Sequence, residues 1–159
     1  MEIEKTKALN AEDKQRVFDL WNRGYPAKLG FQSIFDMDNY LDTLPGLTFY
    51  LLKNDSKLIQ GWAMTFTAGE EKWFAITIAD EVQRQGNGTC LVDKLKADNE
   101  ILNGWVIDHE NDVKANRQLY HSPMLFYQRN GFRTFPEYRL ELPILSAVKI
   151  RWHRDIAGR

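Results

Sequence analysis

The spacing of apolar residues predicts four helices separated by extended segments. After the extended segment 2–9, Asn10 has the properties of a helix N-cap, and Val17, Phe18 and Trp21 then recur on one helical face. The other helices are predicted at Met37–Leu44, at Thr89–Asp98, and from Ser122-Pro123 to Asn130-Gly131. Tyr25, Phe31 and Phe35 lie between the first two helices, as core residues or as the wall of a pocket.

Runs of β-branched and aromatic residues predict the strands. Leu47–Lys53 and Leu58–Thr67 are joined by four turn-forming residues and form a hairpin, and Lys72–Ile78 extends it into a meander. Three more strands are predicted at Trp105–Ile107, Arg139–Leu142 and Ala147–His153, and the helix Thr89–Asp98 ends before Asn103-Gly104. The pattern therefore predicts an α/β fold, a meander followed by helix–strand alternation, in one domain over residues 1–159.

Charge and composition narrow the classes of partner. The 159 residues carry 21 basic and 22 acidic side chains, and a net charge of -1 gives no overall field for nucleic acid or an anionic membrane. A single cysteine excludes an internal disulfide, and the spacing of the histidines predicts no metal site. The charged N-terminus and the lack of a long apolar run predict a soluble, cytoplasmic protein without membrane or nucleic-acid partners.

The segment of residues 76–95 carries the clearest chemical signal. It reads as a strand, a polar turn with Gly86 and Gly88, and an amphipathic helix. Glycines allow a tight turn, so the amides of Gln85 to Thr89 can converge at the helix N-terminus. Such an end attracts phosphate through unpaired N–H groups and the helix dipole, which predicts a local anion site in a chain of nearly zero net charge.

Two familiar phosphate loops fit this segment poorly. A Walker loop needs lysine after its last glycine, but Thr89 follows Gly88. A dinucleotide fingerprint needs a third glycine where this chain has Leu91, although Asp108 lies near the distance of a ribose-binding acid. The first type is excluded, and a nicotinamide-binding enzyme stays a distant alternative.

A third type matches better. Gln83, Gly86 and Gly88 give Q-x-x-G-x-G, which resembles the acyl-CoA pyrophosphate loop of the GCN5-related N-acetyltransferase (GNAT) family. Tyr127, Gly131 and Phe132 resemble the family's Y-x-x-x-G-F element, on a helix after the next strand. The resemblance is good from Leu47 to Phe132 and compatible with the whole chain.

This resemblance implies a fold and a cofactor. The fold is a mixed, mostly antiparallel sheet flanked by helices, with splayed central strands. Acetyl-CoA (coenzyme A) is the co-substrate, and its pantetheine arm lies in the gap between these strands. Ile76 and Ile78 match the pantetheine-binding positions, and an amide near Ile78 matches the group that stabilises the oxyanion. The remaining cofactor-binding residues implied are Gln83, Arg84, Gln85, Gly86, Asn87, Gly88, Thr89 and Phe126.

The resemblance also implies transfer of an acetyl group to a primary amine, on a small molecule or a peptide, by direct attack through a tetrahedral intermediate. Tyr127 matches the general acid that protonates the leaving thiolate, although a buried core tyrosine is the alternative. Asp108 and His109 follow the central strand and are the expected general base, while Cys90 is expected to be a small buried residue. Homodimers are common in the family.

Two departures keep a second function open. The family's asparagine seven residues before the tyrosine is replaced by Tyr120, and Asp108–His121 is longer than a minimal family loop. That loop is either a substrate or cofactor cover carrying Lys114, Asn116, Arg117 and His121, or an insert without a role. The alternative function is a non-catalytic CoA-binding or protein-interaction module of the same fold.

Overall fold

The alternating apolar pattern of the strands folds into one twisted sheet with helices on both faces. The computed structural model describes residues 1–155. Seven strands lie in the order β1-β2-β3-β4-β5-β7-β6. They are β1 Glu2–Thr6, β2 Thr48–Lys53, β3 Ile59–Ala68, β4 Glu71–Ile78, β5 Ile101–Val106, β6 Arg133–Leu142 and β7 Leu145–His153. The helices are α1 Ala11–Gly24, α2 Ile34–Leu41, α3 Asn87–Asp98 and α4 Met124–Arg129, with short 3₁₀ turns at Ala27–Leu29 and Asp80–Val82.

Two apolar cores lie on opposite faces of the sheet. Because side chains alternate along a strand, neighbours such as Trp62 and Ala63 of β3 belong to different cores. The Trp62 core packs under α1 and α2, and the Ala63 core packs under α3 and α4. No helix within residues 1–155 is long and apolar enough to cross a membrane.

The sheet opens between its two central strands. β3 and β4 are antiparallel and pair along their whole length, from Gly61 with Ile78 to Ala68 with Glu71. β4 and β5 are parallel, and their register contains one pair, Trp73 with Asn103. The strands separate beyond that pair, so the predicted splay in a mixed, mostly antiparallel sheet is confirmed.

β5 begins at Ile101, four residues before the predicted start at Trp105, so Asn103 and Gly104 lie inside the strand. The buried side chain of Asn103 donates hydrogen bonds to the Lys72 carbonyl and to Glu71, each at 3.0 Å, and so ties β5 to β4. Gly104 is required by packing, since a Cβ there would lie 2.9 Å from Cε1 of Phe74. The two residues lie where the central strands come together.

Two other predicted boundaries also shift. The second helix begins at Ile34, three residues earlier than predicted, because the Ser33 side chain accepts a hydrogen bond from the Asp36 amide at 3.1 Å and caps it. β6 begins at Arg133 rather than Arg139 and carries a register irregularity between Phe135 and Arg139. Pro136 lies there in an edge strand, the place where a sheet tolerates proline.

Candidate active site

The open edge of β4 faces the gap with alternate backbone groups. The Ala79 amide donates to the Gln60 carbonyl at 2.8 Å, which makes this a hydrogen-bonded pair of the β3–β4 register. In an antiparallel ladder such pairs alternate, so Thr77 is bonded to β3 while Ile76 and Ile78 turn their N–H and C=O groups away from it. The two residues expected to bind pantetheine therefore present backbone groups where β5 has diverged.

Side chains already occupy the carbonyls on this edge. The Tyr25 hydroxyl donates to the Ile76 carbonyl at 3.1 Å, and Gln83 Nε2 donates to the Ile78 carbonyl at 3.0 Å. The strand thus retains N–H groups at Ile76 and Ile78 as its unpaired hydrogen-bonding groups toward the gap. A ligand that pairs with this edge like an added strand would therefore accept hydrogen bonds from the Ile76 and Ile78 N–H groups.

The loop from β4 to α3 is arranged so that its carbonyls are satisfied from within. Besides Gln83, the side-chain amide of Gln85 donates to the Glu81 carbonyl at 3.4 Å, and that of Asn87 donates to the Val82 carbonyl at 2.9 Å. These contacts use up acceptors of the loop and fix its shape. The side chains of Gln83, Gln85 and Asn87 thus fold back onto the backbone of their own loop and hold its shape.

The N–H groups of the same loop are left without acceptors. Backbone hydrogen bonds run up to the Gln83 amide and resume at the Cys90 amide, which donates to the Gly86 carbonyl at 3.0 Å. Within the described chain, no hydrogen bond is made by the N–H groups of residues 84–89. A row of unpaired amides at the start of a helix, here the 12-residue α3, is the type of arrangement that binds anions in proteins.

Two residues of the loop have left-handed backbone conformations. Arg84 has φ 61° and Gly86 has φ 83°, and a Cβ built at Gly86 meets no atom within 4 Å. The loop therefore faces open space at Gly86. The unpaired donors together with this space fit the pyrophosphate of acetyl-CoA.

Gly88 serves packing instead. A Cβ there would lie 3.0 Å from Cζ of Phe126, so the Phe126 ring rests directly on the helix N-terminus. Phe126 also packs edge-on against Tyr127, with ring centroids 5.1 Å apart. Phe126 thus contacts both the N-terminus of α3, where the β4–α3 loop ends, and Tyr127, the predicted catalytic tyrosine.

An open crevice of about 610 Å³ lies in front of the loop. Its walls come from the β4–α3 loop on one side and from the segment before α4 on the other: Asp80, Gln83, Arg84, Lys114, Gln118, Leu119 and His121. Lys114 Nζ lies 3.2 Å from Asp80 and joins the two walls. The Arg84 side chain adds positive charge beside the unpaired amides.

The segment 108–121, predicted to be irregular, contains a short β-hairpin. The Tyr120 amide donates to the Asp112 carbonyl at 2.9 Å, the Lys114 amide donates to the Gln118 carbonyl at 2.8 Å, and Val113 bridges to Leu119. The Ala27 amide donates to the Val113 carbonyl at 2.8 Å and attaches this hairpin, residues 112–120, to the chain beyond α1. The segment is an ordered wall of the crevice.

Three buried tyrosines, Tyr25, Tyr120 and Tyr127, lie near enough to interact through their charges. Burial raises the pKa of Tyr25 to about 12, and it raises the pKa of Tyr120 and Tyr127 as well, with their mutual charge interactions adding to the effect. The Tyr127 ring packs edge-on against Phe74 and Phe132 at 5.7 and 5.5 Å between centroids. All three phenols stay protonated at neutral pH, and Tyr127 is a core residue as well as a potential proton donor.

The two residues expected to act as general base are both engaged. Arg139 holds Asp108 through two hydrogen bonds of 2.9 and 3.0 Å, and this contact lowers the pKa of the Asp108 carboxyl. His109 Nδ1 accepts a hydrogen bond from the Asn111 amide at 3.1 Å, so the neutral ring carries its proton on Nε2, 3.8 Å from Asp112 Oδ2. Arg139 thus holds both oxygens of Asp108, and the Asn111 amide occupies the one lone pair that the neutral His109 ring offers.

Three side chains differ from, or extend, the sequence interpretation. Cys90 is exposed rather than buried, and Phe35 is 71% exposed, outside both the core and the pocket wall. Asp112, whose side chain is 10% exposed, was not singled out from the sequence, because no local pattern signals its burial on the inner face of the hairpin. Its place three residues after His109 was the available hint.

Solved N-acetyltransferase structures have the same fold over nearly the whole chain. An aminoglycoside 6'-N-acetyltransferase complexed with coenzyme A matches with a TM-score of 0.73 at 13% identity, over 96% of this chain and 97% of that one. The ribosomal-protein-S18-alanine N-acetyltransferase from Escherichia coli matches with 0.64 at 17% identity, over 99% and 97%. A GNAT superfamily phosphinothricin acetyltransferase from Sinorhizobium meliloti, in complex with AcCoA, matches with 0.63 at 12% identity, over 99% and 95%.

The likeness to these proteins is seen in the structure and not in the sequence. No protein-family model and no curated protein matches the chain. At such low identity the structural likeness shows the fold, and the fold is that of the GNAT acetyltransferases. The fold predicted from two short motifs is therefore confirmed.

Proposed function

We propose that this protein is an N-acetyltransferase that moves the acetyl group of acetyl-CoA to a primary amine by direct attack. The observation that carries the proposal is the row of unpaired N–H groups at residues 84–89, facing open space at Gly86. Backbone donors at a helix N-terminus bind a diphosphate without a surplus of basic side chains, which suits a net charge of -1.

The open edge of β4 gives the second support. The N–H groups of Ile76 and Ile78 face the gap and pair with an amide-containing arm laid beside the strand. The Ile78 amide is the donor that stabilises negative charge on the acetyl oxygen. Acetyl-CoA supplies the activated thioester when bound, and the chain supplies position and hydrogen bonds.

Tyr127 has the role of general acid toward the leaving thiolate. Its raised pKa keeps the phenol protonated, and it also makes the phenol a weaker acid than an exposed tyrosine, at about 1.4 kcal/mol for each pKa unit. Proton transfer is therefore expected to follow, rather than drive, departure of the thiolate. Tyr25, beside the gap, lines the acceptor side, and a small-molecule or peptide amine is the proposed partner.

Calorimetric titration with acetyl-CoA, followed by acetyl transfer to a panel of amines, tests the proposal. Binding is expected with acetyl-CoA and not with NAD, and transfer is expected to at least one primary amine with release of free thiol. Binding without transfer to any amine would favour a non-catalytic CoA-binding module. Absence of acetyl-CoA binding would reject both.

Cys90 offers an independent readout of binding. It is exposed in the first turns of α3, next to the anion loop. Acetyl-CoA seated on the loop is expected to slow alkylation of the Cys90 thiol by iodoacetamide. Equal alkylation rates with and without acetyl-CoA at saturating concentration would contradict the proposed position.

A further inference from the structure

The proton acceptor for the amine is the part of the reaction that the resemblance leaves open. Among the acidic groups near the gap, Asp108 is held by Arg139, Glu110 pairs with His121 at 2.8 Å, and Glu71 pairs with Arg151 at 3.0 Å. Each of the three is paired with a basic side chain, and none has a buried carboxylate oxygen without a hydrogen-bond partner among the described residues. A carboxylate with such an oxygen is the better candidate for the proton acceptor.

Asp112 is that carboxylate. Its side chain is 10% exposed, and Oδ1 lies 2.7 Å from Lys28 Nζ. The other oxygen, Oδ2, is buried and has no hydrogen-bond partner within the described residues. A buried carboxylate oxygen without a donor is costly to keep, which indicates a partner that arrives with a ligand.

The hairpin at 112–120 puts Tyr120 beside it. Asp112 and Tyr120 are directly opposite each other in a hydrogen-bonded pair, so their side chains leave the hairpin on the same face. Val113 and Leu119, on the other face, are 49% and 44% exposed, which shows that the Asp112–Tyr120 face is the inner one. The charge of Asp112 also raises the pKa of Tyr120, and Tyr120 raises that of Tyr127, as expected for groups that lie near one another.

We propose that Asp112 is the proton acceptor for the amine substrate and that the Tyr120 hydroxyl relays the proton. The substrate ammonium donates its proton to the Tyr120 oxygen as the Tyr120 O–H passes its own proton to Asp112 Oδ2. The phenol is regenerated, the amine becomes neutral, and Asp112 becomes a neutral acid that later returns the proton to solvent. Catalytic contacts of this kind are often open in the free enzyme and close around the substrate.

Several groups surround the Asp112 carboxylate. Lys28 Nζ, from the 3₁₀ turn after α1, lies 2.7 Å from Oδ1, His109 Nε2 faces Oδ2 at 3.8 Å, and Tyr120 leaves the hairpin on the same face. Lys114, also on that face, is paired with Asp80. Oδ2 of Asp112 receives no hydrogen bond from any of them.

The inference rests on the proposed function, and pH profiles of acetyl transfer test it with two kinds of amine. With an alkylamine of pKa about 10, Asp112→Asn and Tyr120→Phe should each lower kcat/KM at pH 7 by about 100-fold. In both variants the rate should then climb with pH toward the pKa of the amine itself. Methoxyamine is already neutral at pH 7 and needs no deprotonation before it attacks, and the proton that it loses afterwards is acidic enough to pass to water. With methoxyamine, both variants should therefore transfer at the wild-type rate.

Double substitution and a matched control separate this role from a structural one. Because the two groups act in one relay, the Asp112→Asn, Tyr120→Phe double variant should be no slower than either single variant. Asp13→Asn is the control, since Asp13 is 14% exposed, lies 3.5 Å from Lys53 and is remote from the gap. Its pH profile should match the wild type.

Three results would overturn the inference. One is an Asp112→Asn profile that keeps the wild-type shape with the alkylamine, and another is an equal loss of rate with methoxyamine, which would indicate a structural role. The third is additive losses in the double variant. If the wild-type chain transfers acetyl to no amine, the proposed function itself fails, so the two failures are distinguishable.

Discussion

The two sides of the central gap are built on different principles. The cofactor side, from β4 to α3, offers main-chain N–H groups, and its side chains turn inward to satisfy its own carbonyls. The acceptor side, from Tyr25 and the hairpin at 112–120, offers phenols and a buried carboxylate brought together from distant parts of the chain. One side thus presents backbone groups to the gap, and the other presents side chains.

This difference explains how each side can vary. Backbone donors depend on chain conformation, so glycine positions and loop length matter more than side-chain identity. Side-chain sites depend on which residues meet in space, and one substitution changes their chemistry. We therefore expect the cofactor side to be sensitive to conformation and the acceptor side to be sensitive to functional groups.

The strongest test of the comparison is Gly86→Val. A side chain at φ 83° strains the loop by about 1–2 kcal/mol and fills the space in front of the amides. Loss of two charge-assisted hydrogen bonds, at about 2 kcal/mol each, should raise the Kd for acetyl-CoA about 1,000-fold in calorimetry. Gly69→Val is the matched control, since Gly69 also has positive φ, 57°, and open surroundings, but in a distant turn. Equal effects of the two variants on Kd would contradict the loop assignment.

Tyr127→Phe removes one functional group where the two sides meet. Turnover should fall about 100-fold, while the Kd for acetyl-CoA and the melting temperature stay near wild type, because the ring contacts are kept. Since burial raises the pKa of Tyr127, alkaline loss of wild-type activity should begin above the usual range for tyrosine. Steady-state kinetics over pH checks both points, with exposed Tyr138→Phe as the control. Unchanged turnover would leave Tyr127 as a packing residue.

The smallest effect is expected for Asp108→Asn on the acceptor side. Arg139 lowers the pKa of Asp108 in the folded chain, so the pair stabilises the fold above the unfolded-state pKa of about 3.9 and loses that effect as pH falls through the lower, folded value. The pair is about one-third exposed, so the melting temperature should drop by only about 2 °C at pH 7, and the difference should vanish in acid. Thermal melts across pH, with Asp55→Asn in an exposed turn as reference, measure it. A loss that persists in acid would require another cause.

The cofactor side was largely predictable from sequence, because its information is local. Gly86, Gly88 and the strand and helix that flank them lie within 20 residues, and the register confirms the orientation of Ile76 and Ile78. The predicted start of β5 at Trp105 lies four residues too late, because Asn103-Gly104 resembles an element boundary, whereas the close approach of Phe74 explains the glycine. The sequence indicates Asp108 and His109 as candidate bases and does not single out Asp112, since only tertiary contacts show which carboxylate has a buried oxygen without a hydrogen-bond partner. Burial and pairing are properties of the folded chain, and no spacing rule encodes them.

The single pair between β4 and β5 divides the sheet into a four-stranded and a three-stranded block that share one ladder step. Amide hydrogens along the unzipped edge are held by no neighbouring strand, so they exchange with solvent without any unfolding of either block. A molecule lodged between the blocks would act as a missing strand and fasten them together. The sheet therefore has its fewest strand-to-strand hydrogen bonds between β4 and β5, where a bound molecule could add the most.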